Sequence, residues 1–456
     1  MESVTVMKVS AKTTSLSSSR GYLPVAGEVS VLSPLVIGEL PSELDGSFLR
    51  IGPNALRPGD PARQGLLDGD PMVHGLRIRD GRVEWYRNRW VRTDRVSRAL
   101  GTLPAPGPRH GLSDNCNGNL LRHAGRTFAV GDGGVLPTEL GRELATLARS
   151  DFDGTLPTGL SAHPECDPVT GELYAVAYYH ELPYIHYLTI GVDGRVRKAE
   201  PIATKSTSMM HAFSLTERYA VIYDLPVTFN SAAAEAGSRL PYTWNDSHGA
   251  RLGVLPRDGG DADVLWMDID PCYVFHPLNA YEVGRSLVID VVRHQRMFDR
   301  DPLRPSESAP TLWRWTVDLP SGTVTEVQLD DHLQEFPRID DRFKGSRNRY
   351  GFATRMSPGS GGLAGPSLLR HDLDARRTEE HVFGPGRETG EAVFVPRSAV
   401  APEGDGWLMS LVYDRTTDRS DLVVLDTADF TGDPIAAVRL PVRVPHGFHA
   451  SWIAEG

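Results

Sequence analysis

Four histidines in this chain of 456 residues each lie in a short, distinctive sequence context. Gaps of 48, 65 and 173 residues separate them, and each is flanked by apolar or small residues. Imidazole nitrogen is a good ligand for Fe(II), Zn(II) and Cu(II), so the four side chains could hold one such ion. Ligands so far apart in sequence require a fold that brings distant segments to one axis. The four residues are His163, His211, His276 and His449.

The composition is that of an acidic globular protein, with a formal net charge of −11 and 40% apolar residues. This charge argues against nucleic acid, or an anionic membrane surface, as the main partner. The length could hold two or three domains, but closed all-β folds commonly reach this size as one domain. We expect a disordered lead-in over residues 1–20, rich in Ser, Thr and Lys, and a single domain over residues 21–456. No run of about 18 uncharged apolar residues occurs, so no transmembrane helix is predicted.

Three cysteines stand far apart in the chain, at positions 116, 166 and 272. Their odd number and the lack of a Cys-x-x-Cys pair argue against a disulfide framework or a zinc ribbon, and a cytoplasmic location fits. Cys166 follows His163 by three residues and could form a ligand pair with it. Because no second cysteine stands nearby, a small buried side chain is the favoured interpretation of Cys166.

Most of the chain has the pattern of short β-strands separated by turns. Asp80-Gly81, Asp193-Gly194 and Ser321-Gly322 each stand between alternating apolar runs, which is a signal for β-hairpins. The clearest helix candidate is the segment 137–149, where Leu, Ala and Glu recur at helical spacing. Many hairpins over about 400 residues favour a β-propeller of seven or eight blades, each of about 40–50 residues.

A propeller also accounts for the spacing of the histidines. The gaps of 48 and 65 residues are about one blade each, and the gap of 173 residues is three to four blades. Ligands placed one per blade, at the ends of the inner strands, would converge on the propeller axis. A two-sheet sandwich is the structural alternative, but it offers no central axis for four ligands spaced in this way.

Six short segments, in this order, form a specific combination. They are GSFLRIGPN at 46–54, DGDPMVH at 68–74, SAHP at 161–164, EFPRI at 335–339, GEAVFVPR at 390–397 and GFH at 447–449. In these segments the chain resembles the carotenoid cleavage oxygenases, a family that includes apocarotenoid oxygenases, lignostilbene dioxygenases and the retinoid isomerase. The resemblance implies an all-β fold, a seven-bladed β-propeller with a helical and loop cap over its top face. It also implies one Fe(2+) per chain on the axis, held by four neutral histidines.

The family pattern assigns the four ligands to His163, His211, His276 and His449. It places the last ligand directly after Gly-Phe, which selects His449 and excludes the neighbouring His446. The family also has three outer glutamates hydrogen-bonded to ligand histidines, and Glu335 and Glu391 match two of them. The third position is Asp132 here, whose side chain is one methylene shorter than glutamate. We therefore expect a water molecule or a backbone shift between Asp132 and its histidine.

The resemblance implies dioxygenase chemistry, with O2 as the co-substrate and no organic cofactor. An electron-rich C=C bond of an apolar small-molecule alkene would be cleaved to two carbonyl products. Three alternatives stay open: isomerisation of a polyene at the same iron, a propeller that serves as a non-catalytic binding module, and a hydrolytic zinc enzyme. The zinc enzyme fits poorly because catalytic zinc usually has three protein ligands.

Three residues beside the predicted ligands are candidates for the substrate pocket, namely Gly131, Phe275 and Phe448. Lignostilbene-cleaving relatives carry a lysine at the position of Gly131, and carotenoid-cleaving relatives often carry a bulky aromatic residue. Glycine is expected to leave extra room beside the iron. A phenolic stilbene would also lack the lysine that contacts its phenol group in those relatives. We rank an apocarotenoid or similar polyene first, and a stilbene or phenylpropanoid alkene second.

Relatives that reach carotenoids in membranes carry an apolar patch around the tunnel mouth, and the candidate for this patch here is the segment 225–244. It is not strongly apolar, since it contains Asn230, Glu235 and four alanines. Weak or no membrane association is therefore expected. The sequence does not determine the oligomeric state.

Overall fold

The computed structural model describes residues 20–57, 69–111, 113–236, 238, 240–300, 307–357 and 362–455. The lead-in predicted for residues 1–20 lies outside the described residues, apart from Arg20, which begins the 3-10 helix Arg20–Tyr22. The described part of the chain contains 32 β-strands and two short α-helices. The strands form seven sheets of four or five strands and one two-stranded ribbon.

The strands are numbered in chain order. The first ten are β1 (Ser30–Leu32), β2 (Val36–Gly38), β3 (Gly46–Pro53), β4 (Pro71–Arg79), β5 (Arg82–Trp90), β6 (Asn119–His123), β7 (Arg126–Val130), β8 (Thr138–Leu140), β9 (Thr146–Arg149) and β10 (Glu165–Cys166). The next eleven are β11 (Leu173–Ala177), β12 (Tyr184–Ile190), β13 (Val196–Ala203), β14 (Ser214–Leu215), β15 (Tyr219–Asp224), β16 (Val227–Phe229), β17 (Tyr242–Trp244), β18 (Arg251–Pro256), β19 (Leu265–Asp268), β20 (Tyr273–Val283) and β21 (Ser286–His294). The last eleven are β22 (Thr311–Asp318), β23 (Thr323–Asp330), β24 (Gln334–Arg338), β25 (Tyr350–Arg355), β26 (Ser367–Asp372), β27 (Arg377–Val382), β28 (Arg387–Pro396), β29 (Gly406–Asp414), β30 (Arg419–Asp426), β31 (Ala436–Arg439) and β32 (Ala450–Ala454).

Each of the seven sheets is one blade, and its strands pair in an antiparallel fashion. The strand orders are β32-β3-β4-β5-β1, β6-β7-β8-β9, β10-β11-β12-β13, β14-β15-β18-β19, β20-β21-β22-β23, β24-β25-β26-β27 and β28-β29-β30-β31-β2. The ribbon of β16 and β17 is inserted in the fourth of these blades. This arrangement confirms the predicted seven-bladed β-propeller.

The two ends of the chain close the ring by exchanging strands. The C-terminal strand β32 pairs with β3, from Gly46 opposite Ala454 to Arg50 opposite Ala450. The N-terminal strand β2 pairs with β31 of the last blade. Because each end completes a blade built mainly from the other end, the closure protects strand edges that would otherwise be exposed.

The predicted hairpin at Asp80-Gly81 is confirmed as the two-residue turn between β4 and β5. Both residues have positive φ, 49° and 68°, which is the requirement of the tightest hairpin turns. The helix predicted for residues 137–149 is wrong, because this segment forms β8, a turn and β9. The turn begins at Gly141, whose carbonyl accepts a hydrogen bond from Leu144, and Leu144 itself has a φ of 65°. Here pairing with β7 in the blade overrides a helical residue pattern.

A cap of loops and two short helices covers one face of the ring. The helix α1 (Asp94–Leu100) begins at the cap residue Thr93, whose side chain accepts from the backbone of Val96. The helix α2 (Ser231–Glu235) begins at Asn230 in the same manner. No helix in the described ranges is long and apolar enough to cross a membrane. Residues of both helices line the cavity beside the histidines, so the cap covers the face on which the candidate site opens.

Candidate metal centre

The four predicted histidines come together at the ends of inner strands from four blades. His163 stands two residues before β10, His211 three residues before β14, and His449 directly before β32, while His276 lies within β20. One ring nitrogen from each of the four lies within 4.8 Å of the others. The inner strands therefore bring residues from position 163 to position 449 into one cluster, as the spacing predicts.

The geometry of the cluster fits a metal ion. The Nε2 atom of His163 lies 3.0 Å from Nε2 of His211, which lies 3.3 Å from Nε2 of His276. Metal–nitrogen bonds of about 2.1 Å to neighbouring ligands place two nitrogens about 3 Å apart, which is the observed spacing. The donor set is entirely imidazole, which suits a divalent transition metal such as Fe(II).

Burial keeps the rings of His163 and His276 neutral, which is the form that binds a metal. Burial, and then the other three histidines, hold the pKa of His163 well below its usual range. The pKa of His276 is lowered to about 4, again mainly by burial. At neutral pH both rings are therefore neutral, so each has one ring nitrogen with a free lone pair that can bind a metal.

Carboxylates hold three of the four rings from outside. The Nδ1 atoms of His211 and His276 each lie 2.6 Å from a carboxylate oxygen, of Asp132 and Glu335 respectively. The Nδ1 atom of His449 lies 3.1 Å from Glu391. A carboxylate accepts a hydrogen bond from the Nδ1–H group, so it fixes the tautomer that leaves the Nε2 lone pair directed at the centre and makes Nε2 a stronger metal ligand.

The two glutamates remain charged although they are buried. Burial works to raise the pKa of Glu335, but contacts with His276 and His294 outweigh it and hold this pKa well below its usual range. For Glu391 burial is likewise outweighed, by His449 and Arg338, and its pKa is lowered. These carboxylates therefore offset much of the charge that a divalent ion would bring into the site.

Irregular strand pairing aims three of these side chains at the axis. The ladder register shifts across His276 and again after Pro277 in β20, directly after Glu335 in β24, and across Glu391 in β28. Such bulges rotate one side chain away from regular alternation and are frequent near functional sites. Phe336, which follows Glu335, has a φ of 56°, unusual for an aromatic residue. Its ring thereby packs against His276 and His449, at 5.4 Å between ring centroids in each case.

Asp132 contacts His211 directly, with no water molecule between them. Its Oδ2 lies 2.6 Å from the ring, and its Oδ1 accepts a hydrogen bond of 3.1 Å from the backbone of Ala162. The shorter Asp132 side chain reaches His211 because the segment that carries Asp132 packs closely against its neighbours. A Cβ at Gly131, for example, would lie 2.7 Å from the carbonyl oxygen of Asn115.

Replacing Asp132 by glutamate is expected to weaken metal binding rather than improve it. The Asp132 carboxylate is already at hydrogen-bonding distance, so one more methylene must displace His211 or the backbone. A disturbed outer carboxylate typically costs about 10- to 100-fold in metal affinity. Fe(II) affinity, measured by competition with a chelator, tests this, with Glu335→Asp as the opposite change in length. Unchanged or tighter binding by Asp132→Glu would contradict it.

Two residues of the site were missed by the sequence reasoning. His294, in β21, donates from Nε2 to Glu335 at 2.8 Å and carries no sequence motif of its own. Arg338 lies 3.5 Å from Glu391 and stands within the segment 335–339, which could have identified it. His446 is not part of the cluster, because its Nε2 is bound to Glu388 at 2.7 Å.

Cys166 was expected to be a small buried side chain, and that expectation is wrong. The residue is exposed at the end of β10, where its neighbour Glu165 pairs with Lys344 at 2.8 Å. It is not one of the residues whose ligand atoms form the histidine cluster. The strand β10 turns His163 to the axis and Cys166 away from it.

A cavity of about 700 Å³ opens beside the histidines. This volume is in the usual range for small-molecule sites. His211, His276 and His449 form part of its wall, together with Phe275 and Phe448. The wall also contains five further aromatic residues among polar and aliphatic ones, namely Tyr178, Tyr179, Phe229, Tyr242 and Phe336.

Gly131 does not leave extra room beside the cluster, which corrects the expectation from the sequence. The residue is not among the described residues that line the cavity. Its Cβ position faces the backbone of residues 115–117 at 2.7 to 3.4 Å. The space that a side chain would take is therefore filled by this neighbouring segment, and Asn115 and Asn117 of that segment line the cavity instead.

Comparisons with known proteins agree with this geometry. A family model described as retinal pigment epithelial membrane protein matches residues 22–454. The chain is 42% identical to a carotenoid cleavage oxygenase of Mycobacterium tuberculosis, over 95% of this chain and 96% of that protein. It is 30% identical to an isoeugenol monooxygenase of Pseudomonas nitroreducens, over 94% of this chain and 96% of that protein. The crystal structure of the lignostilbene dioxygenase of Pseudomonas brassicacearum has a TM-score of 0.87 and 28% identity, and covers 98% of this chain and 100% of that one.

Proposed function

The chain belongs to the family of the carotenoid cleavage oxygenases and the retinal pigment epithelial membrane protein, and we propose that it is an Fe(II)-dependent dioxygenase that cleaves a C=C bond. The observation that carries this proposal is the convergence of four imidazole nitrogens, three of them from residues in the wall of a cavity that also contains seven Phe and Tyr side chains. In the reaction an alkene and one O2 give two carbonyl products, so that each alkene carbon receives one oxygen atom.

The proposed ligands are His163, His211, His276 and His449, with one ion per chain. Fe(II) in this site would supply coordination positions for dioxygen and the electron density that activates it. The outer carboxylates keep three of the four rings in the ligating tautomer. Without these contacts a ring could hold its proton at Nε2, where it would block the lone pair.

The aromatic wall is proposed to align the substrate and to exclude water. Phe275 packs edge-on against His211 at 5.0 Å between ring centroids, and Phe336 packs against two of the proposed ligands. Aromatic faces at this distance can hold a planar conjugated chain beside the metal position. Holding the alkene and O2 together replaces an encounter of two free molecules by a reaction within one complex.

We propose an apocarotenoid-like polyene as the substrate. The 42% identity to a carotenoid cleavage oxygenase over nearly the whole chain supports this class. A stilbene or phenylpropanoid alkene is the second candidate, supported by the likeness to the lignostilbene dioxygenase and the isoeugenol monooxygenase. The cavity volume of about 700 Å³ accommodates either class.

We also propose a cytoplasmic location and no nucleic-acid partner. The three cysteines are free, and two of them, Cys116 and Cys272, are buried away from any disulfide partner. The net charge of −11 opposes binding to a polyanion. These features are those of a protein that works in a reducing compartment on a small apolar molecule.

Metal content and O2 uptake of the purified protein test the proposed function. We expect about one iron per chain after anaerobic reconstitution with Fe(II). We also expect O2 uptake, matched by two carbonyl products, with at least one member of a panel of apocarotenals and hydroxystilbenes. Iron without O2 uptake, but with a changed double-bond geometry in a panel member, would replace cleavage by isomerisation. Failure to bind iron would contradict the enzyme and favour a binding module.

A further inference from the structure

One of the three outer carboxylates is shared between a proposed metal ligand and a cation. The Oε1 atom of Glu391 lies 3.1 Å from Nδ1 of His449 and 3.5 Å from the guanidinium of Arg338. Within the described residues, neither Asp132 nor Glu335 forms an ion pair with an arginine or a lysine. The three outer carboxylates are therefore not equivalent, because a positive charge contacts one of them at the same oxygen that holds a histidine.

A bulge in β24 turns Arg338 to the same side of the blade as Glu335. Glu335 lies opposite Thr354 of β25 and Arg338 lies opposite Phe352, so three steps along one strand match two steps along the other. Residues three apart in a regular strand point to opposite faces, and the extra residue of a bulge brings them to one face. The strand β24 therefore supplies one outer carboxylate and also the cation that contacts another.

A chain of ion pairs holds Arg338 on the side away from Glu391. Asp341 lies 3.7 Å from Arg338 and 3.5 Å from Lys344, which pairs with Glu165 at 2.8 Å. Burial works to lower the pKa of Arg338, but Glu391, and then Asp341 and Glu165, outweigh it and raise this pKa. The side chain is only 19% exposed, and it keeps its charge at any physiological pH.

A second buried arginine, Arg50, acts on the same carboxylate from a longer distance. Burial lowers the pKa of Arg50 to about 10, and the charge of Glu391 opposes this shift. The guanidinium of Arg50 donates to the carbonyl of Pro445 at 2.7 Å. Because Arg338 is the arginine in ion-pair contact with Glu391, it is the cation whose charge acts most directly on the metal centre.

The charge of Arg338 has a different effect on the two common oxidation states of iron. Repulsion between a fixed positive charge and a metal ion is proportional to the charge of the ion, so it is larger for Fe(III) than for Fe(II). Glu391 transmits this charge to the site, since its Oε1 contacts both Arg338 and His449. Arg338 therefore opposes the loss of one electron from an iron ion in the site.

We propose that Arg338 is a positioning residue for the metal centre, whose charge, held against Glu391, keeps a bound iron in the divalent state. The inference rests on the proposed function, in which Fe(II) is the form used with O2. When an external oxidant such as a ferricyanide ion takes one electron from Fe(II), the charge of the iron rises by one and the oxidant is reduced by one electron. The charges of the carboxylates and of Arg338 stay the same, so the cation raises the reduction potential of the iron.

The reduction potential of the reconstituted protein tests this inference without substrate or turnover. Arg338→Gln removes the charge but keeps an NH2 group that can donate to Glu391, whereas Arg338→Lys keeps the charge. Arg338→Gln is expected to favour Fe(III) by about tenfold, which lowers the potential of this one-electron couple by about 59 mV. Arg338→Lys is expected to retain the wild-type potential. An anaerobic redox titration followed by the EPR signal of high-spin Fe(III) measures all three proteins.

Arg251→Gln is the matched control for the loss of a buried arginine charge. Asp224 accepts from Nε2 of His248 and from Nε of Arg251, both at 2.8 Å, so the blade of β15 and β18 contains the same arrangement of histidine, carboxylate and arginine. His248 is not one of the four clustered histidines. Arg251→Gln is therefore expected to keep the wild-type potential, and a shift equal to that of Arg338→Gln would overturn the inference.

Affinity for Zn(II), which has no redox chemistry, separates the charge of Arg338 from a structural role. If Arg338 acts by its charge, Arg338→Gln binds Zn(II) as tightly as the wild-type protein or more tightly, because a repulsion is removed. Weaker Zn(II) binding would show that Arg338 only holds Glu391 in place and would overturn the inference. Arg338→Met, which is neutral and has no donor, repeats both measurements, so the test does not depend on the folding of one variant.

The pattern across the variants decides between this inference and the proposed function. A potential that is unchanged in Arg338→Gln and Arg338→Met, or that falls equally in Arg338→Lys, would overturn the inference while iron binding and O2 uptake by the wild-type protein stay intact. A wild-type protein that binds no iron would contradict the proposed function, and the inference with it. A lower potential in the two neutral variants alone, with Zn(II) affinity retained, is the result expected.

Discussion

Replacing His449 by alanine is expected to abolish iron binding and O2 uptake, whereas replacing His446 is expected to leave both in place. The two histidines stand three residues apart and are almost equally buried, at 3% and 4% exposure. Each contacts a glutamate of the same strand β28, His449 with Glu391 and His446 with Glu388. They are therefore a closely matched pair that differs in the proposed role.

The two histidines differ in which ring nitrogen is hydrogen-bonded to the glutamate. Glu391 contacts Nδ1 of His449, which leaves Nε2 free to face the cluster. Glu388 contacts Nε2 of His446, so the nitrogen that would have to bind a metal is already engaged. Loss of the His449 ring removes one of four ligands, whereas loss of the His446 ring removes a hydrogen bond to Glu388 and packing against Tyr22 and Tyr413.

Iron per chain after anaerobic reconstitution and desalting measures the first effect, and circular dichroism and melting temperature establish that both variants fold. His446→Ala is expected to lose about 1–3 kcal/mol of stability, because Glu388 loses the hydrogen bond from His446 and keeps that from Arg415, yet to retain stoichiometric iron. If His446→Ala loses its iron and His449→Ala keeps it, the assignment of the ligands is wrong.

The ring of blades and the identity of the clustered histidines could be predicted because they depend on features that a sequence displays. Turn residues such as Asp80-Gly81 mark hairpins, and gaps of about one blade between His163, His211 and His276 fit one ligand per blade. The choice of His449 over His446 needed the family pattern, because both have the same residue type and neighbouring positions. Only the structure shows which ring nitrogen of each is free.

Other parts of the site depend on tertiary contacts that leave no mark in the sequence. His294 approaches Glu335 from β21, and no local pattern distinguishes it from the other histidines. Gly131 suggested open space, but the position of residues 115–117 decides whether space exists, and that segment fills it. The wrongly predicted helix at 137–149 has the same origin, since pairing with β7 outweighs local propensity.

Glu335→Gln is expected to lower iron affinity by about 10- to 100-fold, as is typical for the loss of an outer carboxylate. Glu335 accepts from Nδ1 of His276 at 2.6 Å and from Nε2 of His294 at 2.8 Å. It also accepts from the backbone of Phe336 at 2.7 Å. Glutamine has the same shape, but only its oxygen accepts, and its NH2 group donates.

The amide cannot satisfy both histidines in their present tautomers. If its NH2 group faces His276, the proton of that ring moves to Nε2 and blocks the proposed metal position. If it faces His294 instead, His276 keeps its contact with a neutral oxygen, which is a weaker acceptor than a carboxylate. In both cases the nitrogen of His276 that faces the cluster becomes a poorer donor, while the shape of the site is retained.

Glu388→Gln is the matched control, because Glu388 accepts from His446 at 2.7 Å outside the cluster. Fe(II) dissociation constants of both variants, measured by competition with a chelator, are compared with that of the wild-type protein. Glu335→Gln is expected to weaken Fe(II) binding. Glu388→Gln is expected to leave the dissociation constant within about twofold of the wild-type value, because Glu388 contacts none of the four proposed ligands. Equal losses in the two variants would mean that the effect is a general one on stability, and that Glu335 does not act through His276.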